Sequence, residues 1–321
     1  MTEILLETRG LHIRFAARRG GVARAVDGVD LVVRRGEVLA LVGESGCGKT
    51  TLARTIMGLE RPAEGDVVYE GEPLRYDLRF LRPYRGKVQM VFQDPMGSLN
   101  PRQTVYEAVA EGLRIQKLPG DEATRVADAL SRAGLRPPER FFQLYPYELS
   151  GGQRQRVVIA GAMALQPSLL VADEPVSSLD ASVRGEILKL MLELVRDGDV
   201  TILVVTHDLG LAWNIADRIA VMYLGRIVEE GPAEELLADP RHPYTRALLS
   251  VVPEMEEMEQ VILHGETPDP TRIPSDCRFH PRCPLVASGE AARLGIEERC
   301  RSEDPVLDAL APERRAACHA V

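Results

Sequence analysis

Short apolar runs set off by turns open the chain: Leu11–Phe15, Val29–Val33 and Val38–Val42 predict strands. Directly after the third run, Lys49 to Gly58 has helical spacing, and Val67–Tyr69 and Val88–Phe92 predict two further strands. From Thr104 to Leu135 the period is helical, with Val105, Val109 and Leu113 on one face and Val126 and Leu130 on another. A second series follows: Leu169–Ala172 as a buried-type strand, Ala181–Arg196 as an amphipathic helix and Ile202–Val205 as another buried strand. This alternation predicts an α/β fold, a largely parallel sheet covered by helices. The helical stretch between the two series, about 100–163, predicts an inserted helical subdomain.

The pattern lapses after Pro253. An acidic, Met-bearing stretch, Met255–Glu259, is followed by Pro268, Pro270, Pro274, Pro281 and Pro284. We therefore expect a boundary that divides a large domain, 1–252, from an extension, 253–321. So proline-rich a segment cannot build a regular core and needs an organiser. Cys277, Cys283, Cys300 and Cys318 crowd into it, whereas Cys47 is the sole cysteine before them. In a reducing cytosol, four clustered thiols read as a metal or cluster site before they read as disulfides.

Composition narrows the classes. The 39 Lys+Arg against 48 Asp+Glu give a net charge of −9, which argues against a phosphate-backbone binder and leaves no nucleic-acid partner expected. The longest apolar run, Val157 to Leu165, falls far short of the ~20 residues of a spanning helix. The N-terminus lacks the basic-then-apolar order of a signal peptide, so a cytosolic chain is expected, with docking onto membrane proteins open to it.

Three segments carry chemistry. The first is Gly43, Glu44, Ser45, Gly46, Cys47, Gly48, Lys49 and Thr50, a G-x4-G-K-T run between a predicted strand and a predicted helix, with Thr51 next. Its glycines let backbone N–H groups turn inward around a triphosphate, Lys49 reaches the β- and γ-phosphates, and the Thr50 hydroxyl holds Mg²⁺. The second is an apolar strand that ends in Asp173 and Glu174 and is followed by Ser177-Ser178-Leu179-Asp180. There Asp173 is placed to hold the metal through water and Glu174 to polarise the attacking water. The third, Leu149 to Gln153, sets Ser150, Gly151, Gly152 and Gln153 at a helix start. That is either an anion-binding terminus or a plain cap by Ser150.

In the chain order Gly43–Thr50, Gln93, Leu149–Gln153, Asp173-Glu174, Ser177–Asp180 and His207, the sequence resembles the ATPase subunit of ABC transporters over about residues 3 to 235. The resemblance implies an ABC-type P-loop ATPase core, a mixed sheet with flanking helices, and a head-to-tail dimer. Two ATP molecules lie between the subunits, each phosphate loop facing the partner's Ser150–Gln153 segment. It implies that Phe15 stacks on adenine, although an aromatic in such a strand is as readily a core residue. Gln93 senses Mg²⁺ and the attacking water and links to the membrane domain. Asp180 contacts the partner across the dimer, and His207 contacts the γ-phosphate. Mg²⁺ is then held by Thr50, Gln93 and Asp173.

A narrower resemblance rests on Val91 to Arg102, Arg241 to Leu248 and the Cys-rich tail. These are similar to the oligopeptide, dipeptide and nickel importer ATPases, where the tail cysteines hold a cluster. That implies ATP, Mg²⁺ and a [4Fe–4S] cluster on Cys277, Cys283, Cys300 and Cys318. Zinc is the rival ligand for four thiolates, and His280 or His319 could replace a cysteine. The sixteen residues between Cys283 and Cys300 depart from the family's shorter interval. The implied partners are a second, unlike ATPase subunit, two transmembrane permeases and an extracytoplasmic solute-binding protein. The implied place is the cytoplasmic face of the membrane. The competing class, a soluble ABC ATPase of DNA repair or translation, needs a long coiled coil or two ATPase units, and this chain offers neither pattern.

Overall fold

The computed structural model describes residues 3–17, 20–198, 200–252, 260–263, 265 and 269–321. The expected acidic stretch Met255–Glu259 lies outside them. In chain order the elements are β1 (Ile4–Ala16), β2 (Val22–Arg34), β3 (Val38–Val42), α1 (Lys49–Ile56), β4 (Glu64–Tyr69), β5 (Glu72–Pro73), α2 (Leu78–Lys87), β6 (Val88–Val91) and α3 (Pro95–Ser98). They continue with α4 (Val105–Gln116), α5 (Glu122–Arg132), α6 (Gly151–Met163), β7 (Leu169–Asp173), α7 (Ala181–Arg196) and β8 (Thr201–Thr206). Last come α8 (Leu209–Ile215), β9 (Arg218–Tyr223), β10 (Arg226–Pro232), α9 (Ala233–Ala238), α10 (Pro243–Leu249), β11 (Asp308–Ala311) and β12 (Arg314–Ala316).

These elements form two compact units, one built chiefly from Arg34–Val38 and Leu74–Val204, the other from Ile4–Val33, Leu39–Pro73 and Val205–Val321. In the first unit the strands run β8-β7-β6, with β6 and β7 parallel. Strand β7 is buried at every position, which is why its sequence is a continuous apolar run rather than an alternation. Both α4 and α5 pack on α6. The expected single helical stretch is split: Lys117 ends α4 in the left-handed region, Pro119-Gly120 turns the chain, and Asp121 caps α5 by accepting from Thr124 N–H. Thr104 and Glu107 close the start of α4 with a reciprocal capping box.

The second unit departs from the largely parallel sheet that the alternation predicts and has the mixed sheet that the resemblance implies. Strand β3 pairs with β9 in parallel, but β9–β10, β10–β12 and β12–β11 are antiparallel. A separate sheet runs β2-β1-β4-β5, with β1–β4 and β4–β5 antiparallel. Strand β1 starts seven residues before the expected Leu11. An irregularity between Arg9 and His12, where Gly10 takes φ +50°, shifts the register against β4 and so resets the alternation.

The extension is held to this unit by strand pairing and by apolar packing. Strand β12 pairs with β10, and Cys277, Phe279 and Cys283 join the apolar core of β3, β9, α9 and α10. Phe279 is 2% exposed, with its ring centroid 5.2 Å from that of Tyr223 and 5.5 Å from that of Tyr244. Burial of such a ring contributes ~1.5–3 kcal/mol. Arg278 adds a buried ion pair to Asp27 and donates to the Leu224 carbonyl at 2.8 Å. Asp27 sits below the usual carboxylate range: burial pushes it up, but Arg278, Arg24 and His12 together outweigh that.

Candidate nucleotide site

The second unit carries the phosphate-loop segment. It leaves the buried strand β3, turns through Gly43 to Gly48 and enters α1, as the G-x4-G-K-T pattern requires. Gly43 has φ +152°, and a Cβ there would stand 2.2 Å from the Met222 carbonyl oxygen. Gly48 has φ +113°, and a Cβ there would meet the Ala25 carbonyl oxygen at 2.1 Å. Both are therefore obligatory glycines. Lys49 is 5% exposed, and its Nζ donates to the carbonyls of Gly43 at 2.7 Å and Glu44 at 2.9 Å. The ammonium thus spans its own loop. Ser45, Gly46 and Thr50 are exposed, Thr51 is half-buried, and Cys47 is a buried thiol raised above its ordinary value by that burial.

Two more expected residues lie in this unit. Phe15, near the end of β1, is 40% exposed, so its ring is an available surface rather than core. His207 follows β8 and is exposed, next to Asp208, whose carboxylate caps α8 by accepting from Leu211 N–H.

The first unit carries the residues expected to act in hydrolysis. Asp173 ends β7 and is 6% exposed; Glu174 follows with φ +47°, a left-handed conformation that is strained for a residue with a Cβ. Gln93 Nε2 donates to Glu174 Oε2 at 2.9 Å, so two residues 81 positions apart are brought together. Ser177 donates its hydroxyl to the Glu174 carbonyl and fixes the turn.

The Ser150–Gln153 segment forms a complete capping box: Gln153 N–H donates to Ser150 Oγ, and Ser150 N–H to Gln153 Oε1. The plain cap is therefore present, and Ser150 and Gly151 remain exposed at the N-terminus of α6. Any Cβ on Gly152 would lie 2.6 Å from a Val183 methyl of α7, so the close approach of the two helices requires that glycine. Asp180 caps α7 and is exposed. Its carboxyl lies below the usual range because it accepts from Val183 N–H and the Ser182 hydroxyl.

The four late cysteines come together. Cys277, Cys283, Cys300 and Cys318 line one cavity with His280 and His319. Burial pushes the thiols up, Cys277 to about 12 and Cys318 to about 11, with neighbouring cysteines adding to both. Burial likewise raises Cys283 and Cys300. As thiols they stay neutral at pH 7. Among the described residues, no group of three or more His, Cys, Asp or Glu is arranged to hold a single metal ion.

Two residues that touch the phosphate loop went unassigned in the sequence. Tyr244 accepts from Glu44 N–H at 2.8 Å, and Arg282 donates two N–H bonds to the Glu44 carboxylate at 2.7 and 2.9 Å. The Arg241–Leu248 segment was legible as a family mark, but nothing local said where it would dock.

Comparison with known proteins gives the family. The family model for ABC transporters matches residues 26–177, and that for the oligopeptide/dipeptide transporter C-terminal region matches 228–289. The putative oligopeptide transport ATP-binding protein YkfD of Bacillus subtilis is 43% identical over 98% of this chain and 95% of its own. The di/tripeptide transport ATP-binding protein DppF of Pseudomonas aeruginosa is 41% identical over 99% and 98%. Among solved structures, cbiO1 of Clostridium perfringens, part of an ABC transporter complex, superposes with a TM-score of 0.66 at 32% identity, covering 74% of this chain and 92% of its own. A dimeric ATP-binding cassette bound to ADP and Pi superposes with a TM-score of 0.63 at 30% identity, covering 71% and 99%. The chain belongs to the ATP-binding subunits of ABC transporters, in the branch that carries the oligopeptide/dipeptide C-terminal region, and it is an ATPase. Among the described residues no helix is long and apolar enough to cross a membrane.

Proposed function

We propose that this subunit hydrolyses ATP to drive import of di- or oligopeptides, or of a related small solute such as nickel, through separate transmembrane subunits. The observation that carries the reading is the whole-chain likeness to peptide-transport ATP-binding proteins, which includes the C-terminal region and not the cassette alone. The subunit works in a head-to-tail dimer with a second, unlike ATPase, on two permeases at the cytoplasmic face, fed by a solute-binding protein. Residues 1–252 form the ATPase domain, about 100–163 its inserted helical subdomain, and 253–321 the extension. In this reading Gly43–Thr51 cradle the phosphates and Phe15 stacks on adenine. Ser150–Gln153 and Asp180 serve the partner's ATP, and His207 meets the γ-phosphate. Glu174, held by Gln93, takes the proton of the attacking water. Thr50, Gln93 and Asp173 would hold Mg²⁺, which when bound neutralises charge developing on the phosphates. The test is paired: charge reversals of Asp94 and Arg102, in the segment after Gln93, should abolish peptide uptake by reconstituted vesicles while ATP affinity stays unchanged. Loss of uptake only in step with weaker ATP binding would overturn the coupling role.

The same reading assigns a [4Fe–4S] cluster to Cys277, Cys283, Cys300 and Cys318. Support comes from their convergence on one cavity. When bound it would cross-link three segments of the extension; no redox step is needed for ATP hydrolysis. Anaerobically purified protein should be brown, with iron and acid-labile sulfide in equal amounts. Colourless protein with stoichiometric zinc would decide for the rival.

A further inference from the structure

We propose that the extension is a working part of the phosphate loop: Arg282, with Tyr244, is a positioning residue that sets the loop's affinity for ATP through Glu44. This rests on the reading of Gly43–Thr50 as the triphosphate cradle.

Glu44 is tied at each of its polar groups. Its N–H donates to Tyr244 Oη, its carboxylate receives the guanidinium fork of Arg282, and its carbonyl accepts from Lys49 Nζ. Because the N–H of Glu44 is turned toward Tyr244, it is not offered to a phosphate. Any movement of Glu44 also moves the carbonyl that places Lys49, the one ammonium in the loop. Arg282 therefore acts on the phosphates through Glu44 and Lys49, without touching nucleotide.

The Arg282–Glu44 pair is not an ordinary surface bridge. The arginine side chain is 8% exposed and that of Glu44 25%, so loss of either partner leaves a charge with little water around it. The bidentate geometry is specific to a guanidinium, which lysine cannot reproduce. Tyr223 stands behind the pair: burial raises its hydroxyl to about 12, and Arg282 pulls it back part of the way. A second tie reaches the far end of the loop. Arg278 holds the Leu224 carbonyl, and Gly225, the next residue, donates its N–H to the Cys47 carbonyl at 2.9 Å. Arg278 follows Cys277 and Arg282 precedes Cys283, so the two arginines that brace the loop sit beside two of the four clustered thiols.

The experiment uses the full-length chain and a non-hydrolysable ATP analogue with Mg²⁺, read by calorimetry beside steady-state ATPase kinetics. Arg282→Met should raise the analogue Kd and the ATP KM by about tenfold, the scale of a lost charge-assisted hydrogen bond, and leave kcat unchanged. Arg282→Lys should lie between that variant and the wild type. Adding Glu44→Gln to Arg282→Met should cost nothing further, because both act through one contact. A folded Arg282→Met with wild-type Kd, or losses that simply add in the double variant, would overturn the proposal. So would a fall in Tm with affinity untouched, the mark of a merely structural tie. Should Arg282→Met not fold, Arg282→Lys and Tyr244→Phe carry the same expectation at a few-fold in Kd, and wild-type affinity in both would overturn it. If the wild-type chain fails to bind the analogue, or Lys49→Ala binds it equally well, the phosphate-loop reading itself falls and takes this proposal with it. That result is distinct from a failure at Arg282 alone.

Discussion

Glu174→Gln should leave ATP binding intact while turnover falls by ~10²–10⁴, the usual range for a lost general base. The substitution keeps the side chain's length and its capacity to accept from Gln93 Nε2, the contact that spans 2.9 Å in the native site. The strained backbone at this position, φ +47°, is unchanged by it as well. What disappears is the carboxylate that can take a proton, so the expected signature is a kcat effect with little change in KM. In a dimer of unlike subunits an intact second site could mask the loss, and the equivalent glutamate of the partner must be changed too. Near-normal phosphate release from a complex altered at both sites would remove Glu174 from the role of base. Gln93→Ala offers a second view of the same contact: it removes the hydrogen bond that orients the carboxylate and keeps the base.

The parts of the chain that were legible in sequence are those whose chemistry is local. Gly43–Thr50 announces itself because a loop around phosphates needs glycines at fixed spacing, and here Gly43 and Gly48 sit where any Cβ would strike a carbonyl oxygen. Strands β3, β7 and β8 read correctly because burial on both faces forces a continuous apolar run. Strand β10 was illegible for the opposite reason. Its consecutive Glu229 and Glu230 look like surface, yet they are 1% and 5% exposed because Arg314 and Arg315, 85 residues away, pair with them. A buried charge paired over that distance leaves no periodicity in either segment. The same holds for Arg282 and Tyr244, 238 and 200 residues from Glu44. The extension read as a proline-rich stretch in want of an organiser because two of its supports, Phe279 on the aromatic cluster and β12 on β10, are long-range as well.

Lys49→Ala should abolish turnover at this site and weaken ATP affinity by ~10–100-fold, the scale of one to two hydrogen bonds to a charged group. Lys49 as a whole is 5% exposed, so the attraction of its ammonium to phosphate oxygens acts with little solvent screening. It also has a second duty that complicates a simple reading. Its Nζ bridges the Gly43 and Glu44 carbonyls, so alanine leaves both without that donor and loosens the loop as well as removing charge. Two substitutions separate the contributions. Lys49→Met keeps the alkyl stem and loses both charge and donor, whereas Lys49→Arg keeps charge but cannot place a compact ammonium inside a turn this tight. If charge alone governs affinity, Lys49→Arg binds ATP nearly as well as the wild type. The packed loop predicts instead that it binds no better than Lys49→Met, because a guanidinium does not fit between the two carbonyls. Unchanged ATP affinity in Lys49→Ala, measured on the purified subunit, would contradict the assignment of Gly43–Thr50 as the phosphate cradle.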